Sequence, residues 1–509
     1  MNSINHLITK CALGLCLLSL VACKSNEEVI TTPKATLPPY LTAYDTTWVD
    51  SLYHSMTFDE KLGQLFMPFV YSNKGQAHID EQIELIEKYN IGGFIWMQGT
   101  PRKQIQYYNQ LQAASKYPLM FSIDAERGIA MRLDSCHRFP YQMTMGALKN
   151  DSLIYEMGKA CAAHCRLVGA HINFAPVVDV NNNPNNPIIN IRAFGATREA
   201  VAKKGIAYMN GLQENRVLAC AKHFPGHGDT DMDSHVSLPI IKYDSARLDS
   251  IELYPFKELI FNGCGSVMAA HLHISTYDTT ANKASSLSKN VVTTLLKEEM
   301  KFKGLSFTDA LNMHGVSKYY DEGELELEAL KAGNDILLFS TDIPTAIEVI
   351  NHAIIDSVID SAYIEAKAYQ IVQLKSWLQI EDQLLLNDSI LALLNDSTSI
   401  TINEQIYEEA IYWERMDSTW ATAKFYEVVC KSKFAYKNYG LSKARVAEIN
   451  AKAKEENALV VLYGSPLAID RFPAVKHVLV AHRKNTTSLK QVEAILQGTN
   501  KAAGVNPIN

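Results

Sequence analysis

The chain has nine cysteines, yet no two stand as Cys-x-x-Cys and their spacing has no metal-ligand rhythm. Cys11, Cys16 and Cys23 sit near the start, and the other six, Cys136, Cys161, Cys165, Cys220, Cys264 and Cys430, are expected to remain thiols. Cys161 and Cys165, one helical turn apart, read as buried ones. No stretch is rich enough in Lys or Arg to lie along a phosphate backbone. With 48 basic against 55 acidic residues the net charge is -7, so no nucleic-acid partner is expected. No internal repeat is found. What is present, 47% hydrophobic and 20% charged residues, is the material of an ordinary globular core. At 509 residues, one large domain and something smaller are expected.

Lys10 precedes an apolar run, residues 11–22, which is shorter than the roughly 20 residues a spanning helix needs but suits a signal-peptide core. The run ends Leu20-Val21-Ala22-Cys23, which resembles a bacterial lipobox, where cleavage leaves Cys23 as the lipid-modified first residue. Residues 1–22 are therefore expected to be a lipoprotein signal peptide and residues 23–45 a polar, proline-containing tether. Acyl chains on Cys23 would then hold the protein on a membrane of a bacterial cell envelope, facing the periplasm or the exterior.

Eight apolar, strand-like runs follow, at 63–71, 92–97, 119–123, 171–176, 217–223, 266–271, 305–309 and 335–339. Helical periodicity fills most of the gaps, at 79–89, 102–115, 151–167, 198–214, 254–262 and 289–301. The alternation predicts an α/β fold, a parallel (β/α)8 TIM-type barrel over residues 46–375, with a doubly wound open sheet as the competitor. A barrel also predicts that functional groups gather at the C-terminal ends of several strands. Asp124 follows the third run, Arg192 lies in the Asn/Pro-rich loop after the fourth, Lys222 and His223 end the fifth, His271 ends the sixth and Asp309 the seventh. Taken singly, Asp309 could merely cap the next helix.

Past an amphipathic segment at 361–380, a linker at 376–400 is punctuated by two Asn-Asp-Ser triplets, and a smaller α/β unit occupies 401–509. Helices are expected there at 404–413, 441–456 and 489–496, and strands at 458–463 and 477–482.

The densest chemistry lies at 222–235, where three histidines and three aspartates share fourteen positions. Such groups are costly to gather unless they pair, bind a metal or react. His223 and His227 share the separation of the HExxH zinc motif, but Phe224 replaces its glutamate and Pro225-Gly226 forbids the helix that would aim both rings at one ion. Asp229, Asp231 and Asp233 lack the closing glutamate of an EF-hand. The second reading is covalent acid/base chemistry, in which Asp309 attacks an electrophilic carbon while His235, oriented by Asp233, moves a proton.

The segment KHFPGHGDTDMDSHVSLP, residues 222–239, resembles the hallmark of glycoside hydrolase family 3, and within it the bacterial β-N-acetylglucosaminidase branch. Ser122-Ile123-Asp124-Ala125-Glu126-Arg127-Gly128 with Arg132, the Phe174–Val180 and Ile191–Gly195 blocks, Val267–His271 and Ser306–Met313 resemble its other motifs, in the same order. The resemblance implies Asp309 as nucleophile, His235 as general acid and then base, and Asp233 as its orienting partner. It implies Asp124, Arg132, Arg192, Lys222 and His223 as the grip on a terminal N-acetylglucosamine. The expected activity is retaining exo-hydrolysis of β-linked N-acetylglucosaminides, peptidoglycan fragments among them, with no metal or cofactor. Phosphorolysis at the same site and a non-catalytic glycan-binding lipoprotein are the alternatives, and the oligomeric state is left open. Against two-domain relatives the tail looks shortened, with no strand expected between Trp413 and Ala458.

Overall fold

The structure, a computed structural model, describes residues 35–230, 238–382 and 385–508, so Cys23, Asp233 and His235 lie outside the described residues. Eight short parallel strands form a ring. β1 is Phe66–Met67 and resumes as Phe69–Val70 beyond Pro68, which has no N–H to donate. Then come β2 (Gly93–Trp96), β3 (Met120–Ile123), β4 (Ile172–Asn173), β5 (Leu218–Phe224), β6 (Ser266–Ala269), β7 (Leu305–Thr308) and β8 (Leu337–Leu338). Each of the eight expected runs coincides with one of them, β5 reaching one residue past its run to Phe224.

Neighbours pair in chain order from the second half of β1 to β7. Phe307 bridges Ile336 at the head of β8, and β8 pairs with the first half of β1 through Phe66↔Leu337 and Met67↔Leu338. The interruption at Pro68 is thus where the strand changes partners. That last pairing closes the ring, which an open sheet cannot do, and decides for the barrel.

The strands are continuous apolar runs because both their faces are covered, by the barrel filling within and by helices without. Trp96 stacks on Phe121 with ring centroids 5.1 Å apart, and Phe174 meets Phe307 edge to face at 5.3 Å. Packing begins at Thr36, ahead of the expected start at 46: Tyr40 is fully buried and its hydroxyl donates to the Gly265 carbonyl. Cys161 and Cys165 are buried thiols in the helix Ser152–Leu167.

The smaller unit is a four-stranded sheet. It contains β9 (Tyr412–Arg415), β10 (Lys424–Val429), β11 (Ala458–Tyr463) and β12 (His477–Val480), in the order β9-β12-β11-β10 with only β9 antiparallel. Two expectations are corrected. The helix expected at 404–413 is Ser397–Glu409 and gives way to β9. β10 lies in the stretch where no strand was expected, because it is an edge strand that buries only Tyr426 and Val428 and carries Lys424 and Glu427. Alternate residues of β11 enter two cores: Leu459, Val461 and Tyr463 pack with Val492 and Ile495, whereas Val460 and Leu462 join the cluster continuous with the barrel. The segment near 507 returns to the barrel, where Ala196 N–H donates to the Pro507 carbonyl at 3.0 Å and Val505 N–H to Ala147 at 2.9 Å.

At the opposite end of the strands from the site, Asp335 is fully buried ahead of β8. It accepts from Ser306 N–H (2.6 Å), Ser306 Oγ (2.7 Å), Lys297 Nζ (2.7 Å) and Lys367 Nζ (2.5 Å). Burial alone would raise its pKa, but the two ammonium groups hold it well below the carboxylate range. Asp335→Ala would leave both lysines without their counter-charge, and a loss of about 3–5 kcal/mol in unfolding free energy is expected by urea titration. A loss under about 1 kcal/mol would show that the cluster is not what ties β7 to β8.

Candidate active site

A cavity of about 290 Å³ opens at the C-terminal ends of the barrel strands. It is lined by six of the expected site residues, Asp124, Arg132, Arg192, Lys222, His223 and Asp309. At its centre the Lys222 ammonium, 2% exposed at its side chain, lies 2.7 Å from Asp124 Oδ1 and 3.1 Å from Glu126 Oε1. Arg132 donates to the other oxygen of Asp124. Arg192 forks onto Glu126, with Nε 3.1 Å from Oε2 and an Nη 2.6 Å from Oε1. Burial would raise both carboxyls, but the cations prevail and hold Asp124 and Glu126 well below their ordinary values.

The loop carrying these carboxylates is fixed from behind. Asn173, the last residue of β4, accepts from Ala125 N–H at 3.0 Å and donates to the Ala125 carbonyl at 3.2 Å, and Tyr208 Oη donates to the Glu126 carbonyl at 3.3 Å. Asn186 binds the loops after β4 and β5 together: its amide donates to the carbonyls of His227 (2.8 Å) and Gly228 (2.9 Å), while its oxygen accepts from Ile188 and Ile189 N–H. A Cβ on Gly228 would lie 1.8 Å from the Val180 carbonyl oxygen, so only glycine permits this approach.

His223 is a bonded ring at a strand end that also lines the cavity. An Nη of Arg192 lies 3.1 Å from its Nε2, and a guanidinium can only donate, so Nε2 accepts and Nδ1–H donates to Asp179 Oδ2 at 2.7 Å. Asp179 also accepts from His227 N–H at 2.7 Å. The His227 ring faces Thr230 through Nδ1 at 2.7 Å, as a loop-shaping residue should. His223 Nε2 faces the Arg192 guanidinium at 3.1 Å and accepts from it, so that nitrogen is already used and is not offered to a metal ion.

Asp309 differs from the other carboxylates of the cavity. Its Oδ1 accepts from Ala310 N–H at 2.8 Å, and among the described residues no cation pairs with it. Burial would raise its pKa, but the His271 ring, the Ala310 amide and the Lys222 ammonium hold it below the ordinary value, so it is ionised at neutral pH. His271 anchors the same turn, with Nε2 3.0 Å from the Ala310 carbonyl and Nδ1 2.7 Å from Ser286 Oγ. Asp309 is not a helix cap here: its backbone N–H donates to Ala269 at 2.8 Å, and no regular helix begins until His314.

The model for the glycosyl hydrolase family 3 N terminal domain matches residues 57–374. The chain belongs to glycosyl hydrolase family 3. It is 34% identical over 281 residues to a beta-hexosaminidase A of Pseudoalteromonas piscicida, a match covering 51% of this chain and 47% of that protein. It is 29% identical over 293 residues to a beta-hexosaminidase of Methylobacillus flagellatus, covering 56% and 83%. The chain thus spans about half the length of the first relative and most of the second. Its fold matches a family 3 beta-N-acetylglucosaminidase from Paenibacillus sp. str. FPU-7 with a TM-score of 0.76 at 26% identity, covering 89% of this chain and 99% of that one.

The structure adds functional residues that the sequence reading left without a role. Glu126 and Asp179 stand within the quoted family 3 motifs and could have been found there, as acidic side chains two and three positions from Asp124 and Pro176. Tyr141 and Lys433 also line the cavity; Lys433 comes from beyond β10 in the smaller unit, and no local signal points to it.

Burial pushes the imidazoles of His227 and His482 down to about 4 and that of His171 to about 3, against about 6.5 in an unfolded chain. Between those values the unfolded family 3 chain binds more protons, so stability is full above about pH 6.5 and declines as pH falls from there toward 4. In His227→Gln the decline is expected to be shallower by up to one proton, about 1.4 kcal/mol per pH unit, in urea titrations across that range. An unchanged slope would show that His227 is not held neutral by the fold.

Proposed function

We propose that this family 3 protein is a retaining exo-β-N-acetylglucosaminidase acting through a glycosyl–aspartate intermediate. The observation that carries the reading is the division of labour among the cavity carboxylates. Asp124 and Glu126 are locked to Lys222, Arg132 and Arg192, and only Asp309 is ionised with no cation partner among the described residues. A terminal sugar held by the first group presents its anomeric carbon to the carboxylate of Asp309, which attacks as the leaving oxygen departs. Hydrogen bonds from charged groups to its hydroxyls fix the stereochemistry.

Neither Asp124 nor Glu126 can give the leaving group a proton, because each is held ionised. His227 is neutral at working pH, and His223 spends both ring nitrogens on Asp179 and Arg192. We therefore assign the proton to His235, oriented by Asp233, in the loop after β5, as the resemblance to family 3 implies; His235 would then activate the water that releases the sugar. The beta-hexosaminidase and beta-N-acetylglucosaminidase names of the relatives support this substrate class. We further propose that Cys23 carries the lipid that holds the enzyme at the bacterial envelope, where peptidoglycan fragments are its substrates.

Asp309→Gly is expected to lower kcat on an aryl N-acetylglucosaminide by about a thousandfold or more with an unchanged thermal melt. Added azide should restore turnover and give a glycosyl azide of inverted configuration. Near-full activity of the variant would sink the assignment, as would a wild type inert toward every β-N-acetylhexosaminide. A glucosaminyl 1-phosphate product in phosphate buffer would replace hydrolysis by phosphorolysis. His235→Ala is expected to lose about 10²–10⁴-fold on alkyl glycosides and far less on activated aryl ones; equal losses on both would remove it as the acid.

A further inference from the structure

Asp229 belongs to the dense stretch 222–235 but is not among the residues that line the cavity. Its carboxylate turns instead to the chain that returns from that stretch. Tyr243 Oη donates to Asp229 Oδ2 at 2.7 Å, and an Nη of Arg247, in the helix Ser245–Ser250, donates to the same oxygen at 3.4 Å. Arg247 is itself held in place. Its other Nη lies 2.7 and 2.6 Å from the two oxygens of Glu252, whose side chain is 2% exposed, and its guanidinium stands 4.7 Å from the centre of the Tyr243 ring.

The two arms joined by Asp229 are otherwise fixed to different parts of the rim. On the entering arm, the side-chain amides of Asn183 and Asn186, from the loop after β4, reach the Thr230 carbonyl and Thr230 Oγ1, each at 3.4 Å. Gly226, at φ +131, passes so close to Glu252 that a Cβ there would lie 2.7 Å from Glu252 Cβ. On the leaving arm, Ile240 and Ile241 pair in parallel with His273 and Ile274 in the loop after β6. His273 N–H donates to the Pro239 carbonyl at 2.8 Å, and the Thr276 hydroxyl donates to the Tyr243 carbonyl. Ile241 and Leu248 are buried in one cluster with Leu272 and Ile274.

Tyr243 stands fourteen positions after Asp229, and Asp233 and His235 fall between them in the sequence. Holding the ends of a segment together removes many of the arrangements open to its middle. A general acid must come within hydrogen-bond reach of the leaving oxygen, and a displacement of about 1 Å can cost about a hundredfold in rate.

We propose that Asp229, Tyr243 and Arg247 are positioning residues, which set His235 for proton transfer by tying together the two arms of the chain that carries it. The inference rests on the assignment of His235 as the acid and adds what aims it. A tie that merely stabilised the rim would serve the departure of every leaving group alike, whereas a tie that aims the acid matters only where the leaving group needs a proton.

The test compares kcat/KM on an alkyl and on a dinitrophenyl β-N-acetylglucosaminide for Asp229→Ala, with and without His235→Ala. Asp229→Ala is expected to lose about tenfold or more on the alkyl glycoside and less than about threefold on the aryl one. In the His235→Ala background it should add less than about twofold on either, because no acid is left to aim. Tyr243→Phe, which removes one hydroxyl, gives a second reading if the thermal melt shows that Asp229→Ala does not fold; its expected loss is about threefold, again confined to the alkyl glycoside and absent without His235.

Equal losses on the two substrates, a loss that persists in full without His235, or alkyl activity within about twofold of wild type in both variants would overturn the inference. With His235→Ala still selective for the alkyl glycoside, the glucosaminidase reading would stand. A His235→Ala enzyme that loses equally on both substrates would remove the acid assignment and the inference with it.

Discussion

The site is built on one buried ammonium group. Lys222, reaching from β5, lies between Asp124 and Glu126, which leave β3 two residues apart and would repel each other if left as a bare pair. Taking a lysine and two carboxylates out of water costs several kcal/mol per ion, and only close, well-bonded geometry offsets it. Arg132, further along the loop after β3, and Arg192, from the loop after β4, complete that geometry, so segments following three different strands must reach their places before the charges balance. Asn173, Tyr208 and Asn186 hydrogen-bond those segments from behind, in a rim made largely of loop.

Balanced charge also explains how one cavity keeps its carboxylates distinct. In the proposed reaction the neutralised pair grips the sugar, while Asp309 has an amide at one oxygen and no cation paired with it among the described residues. It is ionised without being tied down, the state a nucleophile requires. The hydrogen bond from Asp309 N–H to Ala269 sets Asp309 in register with β6, and His271 braces Ala310 from the same strand end.

The barrel was legible because its signal is local and repeated: eight apolar runs each too short to be a helix, and polar groups that cluster at their ends. Asp124, Lys222, His223 and Asp309 could be read for the same reason, each ending or following a strand. The edge strand β10 was hidden because only two of its six residues are buried, so neither an apolar run nor clean alternation marks it. Lys433 was hidden for a different reason. Nothing around it is unusual, and its place in the cavity follows from how the smaller unit folds back onto the barrel, which no window of sequence encodes.

Residues 505–507 lie against the barrel next to the loop that bears Arg192, with Pro507 accepting from Ala196 N–H. The eight strands lie within residues 66–338, whereas one wall of the cavity and the backing of the Arg192 loop come from Lys433 and residues 505–507. A lesion in the smaller unit can therefore disable the site at a distance, because it takes a wall from the cavity without touching any strand of the ring.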